Sequence, residues 1–302
     1  MTKSILSIKN LSKSFGNQKV LDNLDMEITP GQIYGFLGVN GAGKSTVMKI
    51  ILGLLPKDKG EIVALGHFIP KNRSQVLPEI GSLIEEPAFY PNLTGFENLQ
   101  LIQELANLPK ENIKVVMEAT GIYYAKDKLV RNYSLGMKQR LGISMALIKF
   151  PKLLILDEPT NGLDPDGIHQ MRQLIRSLPQ KFNMTVLISS HILSEIENLA
   201  DTVGIIKDGH LIYQGDINQL LNQERKYRLK VNNHEKASQI IQQYDNKISI
   251  TKNDDDTLLI SLPDHTFVPD LIAQLVYKEL QIYEVYGVKK TLESVFLDLT
   301  KE

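Results

Sequence analysis

"GVNGAGKST" spans Gly38 to Thr46, and its reading decides the fold. Gly38, Gly43, Lys44 and Ser45 fit the pattern G-x-x-x-x-G-K-[ST]. Glycines let a backbone curl until several N–H groups converge on one phosphate. A helix opening just behind such a loop adds its positive N-terminal end. Lys44 supplies a cation for the outer phosphates, and the Ser45 hydroxyl is a candidate Mg²⁺ ligand. The candidate nucleotide contacts are therefore Gly38, Asn40, Gly41, Ala42, Gly43, Lys44, Ser45 and Thr46. A glycine-rich turn that binds nothing is the competing reading. The flanking sequence favours phosphate: the apolar strand candidate "IYGFL" precedes the loop and the helix candidate "KSTVMKIILGLL" follows it.

Working outward, "LLILDEPT" ends an apolar run in Asp157 and Glu158. Continuous apolar runs of this length, here and in "TVLIS", fit strands buried on both faces of a parallel sheet. Ligands sit at the carboxyl ends of such strands. Asp157 is placed to hold Mg²⁺ through its water shell. Glu158, one residue on, points elsewhere, toward an attacking water for which it is the candidate base. An acidic strand end that merely meets solvent is the alternative.

The chain has 302 residues, enough for one large or two modest domains. Apolar residues at 42% and charged residues at 23% are ordinary for a globular protein. Lys plus Arg number 34 against 35 Asp plus Glu, so no net field draws nucleic acid or an anionic membrane, and no nucleic-acid partner is expected. The absence of cysteine excludes disulfides, thiolate catalysis and Cys-bound metals. "MTKSILSIKNLSKSF" lacks the apolar core of a signal peptide. No run approaches the ~18 apolar residues of a spanning helix. Any membrane association is therefore expected to go through a partner.

"ILSIKNLSKSF" and "VLDNLDMEI" alternate with the period of strands, and "PGQ" marks a turn. Thr94 to Leu108 reads as a helix: Thr94 and Glu97 make a capping-box pattern, and Leu99, Ile102, Leu105 and Ala106 recur at helical spacing. "SLGMKQRLGISMALIKF" is a second helix candidate. After about Gln219 the texture changes. The order strand, helix, hairpin, helix, strand and tail helix suggests a small domain of the split-βαβ type, its hairpin turning at the acidic "NDDDT". The expected domains are thus 1–219 and 220–302.

Together these motifs resemble the ATP-binding-cassette (ABC) transporter ATPases, from about Leu6 to Gly215. Phe15, in "LSKSFG", is similar to the aromatic that stacks on adenine; an ordinary strand aromatic is the other reading. "YSLGMKQR" resembles the family signature, and Ser134 and Gly136 are the positions it retains. Leu135 and Met137 depart from the usual glycine and glutamine. Ser134 is a good N-cap, and the first turn behind it carries no acid, which leaves an electropositive end for an external anion. "NGLD" matches the loop whose aspartate, Asp164, communicates between subunits; it can also cap a helix. His191, in "LISSH", matches the switch histidine at the terminal phosphate.

In "IGSLIEEP" the family's metal-contacting glutamine position falls on Glu85, so the resemblance makes Glu85 a Mg²⁺ ligand and leaves Glu86 facing solvent or a partner. An anionic oxygen is a harder ligand than an amide oxygen. This glutamate, the signature and the tail "LESVFLDLT" resemble the bacitracin-resistance and lantibiotic-immunity branch. The resemblance implies an α/β P-loop NTPase fold with a parallel core sheet, an antiparallel β subdomain and a helical signature subdomain. It implies ATP and Mg²⁺ as cofactors, and Ser45, Glu85 and Asp157 around the metal. Glu158, His191 and Glu85 would do the chemistry, and Phe15, Ser134, Gly136 and Asp164 would join the phosphate loop in holding nucleotide.

The function so implied is an ATP-hydrolysing subunit that works in pairs, homodimeric or mixed. It would power export of an antimicrobial peptide or lipid-like compound through a separate membrane permease, from the cytoplasmic face of the cell membrane. The segment Pro87–Leu108 is the candidate docking surface; the inward face of a helical subdomain is the alternative for any one residue there. The rival function is a soluble cassette ATPase acting on ribosomes or DNA. Such proteins usually carry two cassettes or a long coiled-coil insertion, and neither is present.

Overall fold

A computed structural model describes residues 4–85, 87–221, 225–245, 248–252, 257–262, 266–288 and 290–300. Contacts divide the chain into two units, 1–217 and 218–302.

In the first unit the alternating N-terminal segments form β1 (Leu6–Phe15) and β2 (Gln18–Ile28), paired antiparallel. With β4 (Lys59–Ala64) and β5 (His67–Ile69) they make a four-stranded antiparallel sheet in the order β2-β1-β4-β5. The second sheet has six strands. Its parallel part comprises β3 (Ile33–Leu37), β6 (Ile80–Leu83), β7 (Leu153–Asp157), β8 (Thr185–Ser190) and β9 (Thr202–Lys207); β10 (His210–Asp216) adds to its edge antiparallel. The strand order is β10-β9-β3-β8-β7-β6.

Every residue of β3, β7 and β8 is buried, which is why their central residues read as continuous apolar runs instead of alternating ones, with polar residues only at the strand ends. Full burial of each Leu or Ile side chain contributes roughly 1.5–3 kcal/mol. This sheet aligns the carboxyl ends of β3, β7 and β8 along one edge, with Leu37 opposite Ser190 and Asp157 opposite Ser189. The phosphate loop, the "DEPT" turn and the "SSH" turn therefore leave the sheet side by side.

Helices α1 (Lys44–Ile51), α2 (Arg73–Val76), α3 (Gly95–Leu105), α4 (Glu111–Ala119), α5 (Leu135–Leu147), α6 (Pro165–Phe182) and α7 (Leu193–Glu197) connect these strands, and α8 (Ile217–Leu221) follows them. The capping box on α3 is formed: Thr94 Oγ1 accepts from Glu97 N at 3.1 Å, and Glu97 Oε2 accepts from Thr94 N at 2.7 Å. The Thr94 N–H, and after it the Thr94 hydroxyl, hold the Glu97 carboxyl below its ordinary range. The residues at helical spacing do not share one buried face. Leu99 is buried, but Leu105 at the end of α3 is 89% exposed. Among the described residues no helix is long and apolar enough to cross a membrane.

The second unit builds β11 (Arg225–Val231), α9 (His234–Tyr244), β12 (Ser249–Lys252), β13 (Leu258–Leu262), α10 (Phe267–Tyr277), β14 (Ile282–Val288) and α11 (Leu292–Thr300). Its sheet runs β12-β13-β11-β14 with all neighbours antiparallel, the split-βαβ arrangement expected from the sequence. Leu229, Val231, Ala237, Ile241, Ile260 and Leu275 are among the residues of its own apolar core. The tip of the hairpin, "NDDD" at 253–256, lies outside the described residues, as does Glu86.

Candidate functional site

The phosphate loop leaves β3 and enters α1 through Gly43, whose φ of 108° is closed to ordinary L-residues. A Cβ there would also lie 2.6 Å from Leu21 Cδ2, so the close approach of β2 requires the same glycine. No acidic residue occupies the first turn of α1 and no side chain caps it. Its free N–H groups and the helix dipole are left for an anion. Lys44 is 5% exposed, and its Nζ donates to Gly38 O at 2.8 Å. Burial pulls the Lys44 ammonium below its ordinary pKa, while Glu158 and Asp157 pull it back up. Lys44 Nζ lies 3.8 Å from Glu158 Oε1.

Asp157 and Glu158 stand where β7 ends. Ser189 Oγ donates to Asp157 Oδ1 at 2.5 Å and accepts from Glu158 N at 3.0 Å, so one hydroxyl fixes both positions. Glu158 has φ 48°, a left-handed backbone uncommon for a glutamate. The turn throws its side chain away from Asp157 and toward His191, whose Nδ1 lies 2.9 Å from Glu158 Oε2. An ionised carboxylate only accepts, so in that state the Nδ1 proton is the one shared and Nε2 is free to face a ligand.

Glu85 is also left-handed, at φ 60°, and 68% of its side chain is exposed. Its Oε1 pairs with Lys49 Nζ of α1 at 2.5 Å. Ser45, Glu85, Asp157, Glu158 and Leu135 line one cleft of about 610 Å³. Hydroxyl and carboxylate oxygens are the hard donors that Mg²⁺ prefers. Among the described residues no group of three or more His, Cys, Asp or Glu is arranged to hold a metal ion by itself. A sparse donor set of this kind fits a cation that takes its remaining ligands from water and substrate phosphates.

The signature residues sit at the start of α5. Ser134 Oγ accepts from Met137 N at 3.3 Å, the N-cap expected, and the first turn holds no acid. Gly136 lies near Leu163, and Leu135 Cδ2 lies 3.0 Å from where a Cβ on Gly162 would sit, so the turn before α6 packs against the start of α5. Asp164 caps α6, accepting from Gly167 N at 2.9 Å. Phe15 stands apart from the residues lining the cleft, at the end of β1, with Lys13 Nζ 5.3 Å from its ring centroid.

The loop bearing Glu85 is seated on α5 at Gly142, where a Cβ would lie 2.7 Å from Pro87 Cβ and 3.0 Å from Leu83 Cδ1. Gly142→Ala gains about 1 kcal/mol of helix propensity. The overlap costs about 1–3 kcal/mol. A net destabilisation between about 0 and 2 kcal/mol is expected, read as an equal or lower urea midpoint; a raised midpoint would show that Pro87 moves aside freely.

Ser189, Lys49, Thr160 and Glu195 were not singled out from sequence. Their bonds to Glu158, Glu85 and one another span 31 to 36 residues, and only the tertiary fold brings these partners together. The doubled serine before His191 was the one visible hint.

A parallel sheet whose strand ends gather a phosphate loop, a strand-end carboxylate pair and a histidine defines a P-loop nucleoside triphosphatase. The family model described as "ABC transporter" matches residues 21–161. The bacitracin transport ATP-binding protein BcrA of Bacillus licheniformis is 46% identical over 243 residues, 80% of this chain and 79% of that one. The lantibiotic transport ATP-binding protein SrtF of Streptococcus pyogenes is 43% identical over 227 residues, 75% of this chain and 97% of that one. Among solved structures, cbiO1 of Clostridium perfringens, part of the ABC transporter complex cbiONQ, superposes with a TM-score of 0.67 at 28% identity, covering 72% of this chain and 90% of that one. The chain belongs to the ABC transporter family as an ATP-binding ATPase subunit.

Proposed function

We propose that this chain hydrolyses Mg²⁺–ATP to drive export of an antimicrobial peptide of the bacitracin or lantibiotic kind, or a lipid-like compound, through a permease on a separate chain. The names of two relatives, one transporting bacitracin and one a lantibiotic, support the substrate class and disfavour a role on ribosomes or DNA. The observation that carries the chemistry is the meeting of Ser45 of the phosphate loop with Asp157 and Glu158 in one cleft, with His191 hydrogen-bonded to Glu158.

In this reading the loop amides and Lys44 hold the β- and γ-phosphates, and Phe15 stacks on the adenine. Ser45, Glu85 and Asp157 hold Mg²⁺, which when bound neutralises phosphate charge. Glu158 accepts the proton of the attacking water, and His191 presents Nε2 to the γ-phosphate. Ser134 and Gly136 at the start of α5, with Asp164, complete the site of a second ATPase subunit. Residues 1–219 are the ATPase domain and 220–302 an accessory domain. Exposed Tyr90, Phe96, Leu101 and Leu105 form the permease surface, while Leu99 faces the subunit's own core. The subunit works at the cytoplasmic face of the membrane.

Glu85→Gln tests the role of its carboxylate. The variant loses an ion pair to Lys49 worth about 0–1 kcal/mol at such exposure. ATP binding and most hydrolysis are expected to survive, with weaker coupling to transport in vesicles carrying the permease. A variant that no longer binds ATP would refute the role given to Glu85.

A further inference from the structure

Glu195, on α7, is a carboxylate for which the chemistry above has no use. It is 6% exposed, and among the described residues no cation pairs with it and its Oε1 has no hydrogen-bond partner. Burying a carboxylate with so little compensation is costly, and such groups are retained where their remaining bonds matter. Its Oε2 accepts from Thr160 Oγ1 at 2.6 Å, and Ser190 Oγ lies 3.2 Å from the same oxygen. Ser190 Oγ in turn accepts from Ile192 N at 2.9 Å.

The two hydroxyls come from different strand ends. Thr160 follows Glu158 by two residues, and Ser190 immediately precedes His191. One buried oxygen therefore ties the turn carrying the base to the turn carrying the histidine. The direct bond between those two side chains, Glu158 to His191, is more open to solvent, with 25% and 38% of the side chains exposed. Buried hydrogen bonds hold geometry better than exposed ones, because no water competes for either partner.

We propose that Glu195 is a positioning residue: its carboxylate braces the Glu158 turn against the His191 turn and so keeps the base and the histidine in register for hydrolysis. The brace touches neither nucleotide nor metal, so its loss slows turnover and leaves affinity alone. This rests on the roles proposed above for Glu158 and His191.

The test compares kcat, equilibrium ATP affinity and melting temperature for Glu195→Ala, Glu195→Gln and Thr160→Val in the full chain. Misplacement of a reacting group by about 1 Å costs around 10²-fold in rate. Glu195→Ala and Thr160→Val are expected to lower kcat roughly tenfold to hundredfold, with ATP affinity within about threefold of the parent. Glu195→Gln keeps an acceptor oxygen and is expected to retain most of kcat. In a Glu158→Gln background Glu195→Ala should add no further loss, since the base it positions is gone. If Glu195→Ala lowers the melting temperature too far to assay, Thr160→Val reads the same bond. Parental kcat in Thr160→Val or Glu195→Ala would overturn the brace and leave the base assignment standing, as would a Gln variant as slow as the Ala variant. Near-parental turnover in Glu158→Gln alone would instead remove the base and the brace with it.

Discussion

Glu158→Gln is expected to bind ATP with near-native affinity and to hydrolyse it about 10²- to 10⁴-fold more slowly. The amide keeps the size of the side chain and can still meet His191, 2.9 Å away from the present carboxylate. What it loses is the basic oxygen that takes a proton from water. Because ATP then persists in the site, the variant should gather as an ATP-dependent dimer, seen as an earlier-eluting species in size-exclusion chromatography. Turnover close to the parent would remove Glu158 from the chemistry, whatever its strained backbone suggests.

Lys44→Ala is expected to weaken ATP binding by about tenfold to hundredfold, the equivalent of the roughly 1.5–3 kcal/mol carried by hydrogen bonds to charged groups. Lys44 is buried beside Glu158 and donates to the loop's own Gly38 carbonyl, so its ammonium is already desolvated and held at the loop before any phosphate arrives. Little reorganisation is then required on binding, and the charge acts at short range from a side chain itself shielded from water. Removing Lys44 also leaves the Glu158 carboxylate without its nearest cation, so hydrolysis should fall by more than affinity does. Affinity equal to the parent would mean that the amide ring alone grips the triphosphate.

Much of this site could be read from the sequence because residue identity there dictates local geometry. The left-handed turn at Gly43 needs a residue without Cβ, and the buried middles of β7 and β8 need continuous apolar residues. The Thr94 and Glu97 box announced α3 for the same reason: its two bonds span only three residues. Other features were hidden because they depend on register across the sheet. Ser189 reaches Asp157 only because β7 and β8 pair them, and nothing local to either marks that meeting. Lys49 and Glu85 are 36 residues apart, and nothing local to either marks their ion pair. Strand β6 has four residues, too few for a period to show. Leu105 fits the helical spacing yet faces outward, since spacing places a residue on a face without saying what covers that face.

The most direct test of the account is a calorimetric titration of the purified chain with ATP in the presence of magnesium. Saturable binding at one site per chain is expected, weakened about tenfold to hundredfold by Lys44→Ala. No affinity for adenine nucleotide, or affinity indifferent to Lys44, would contradict it.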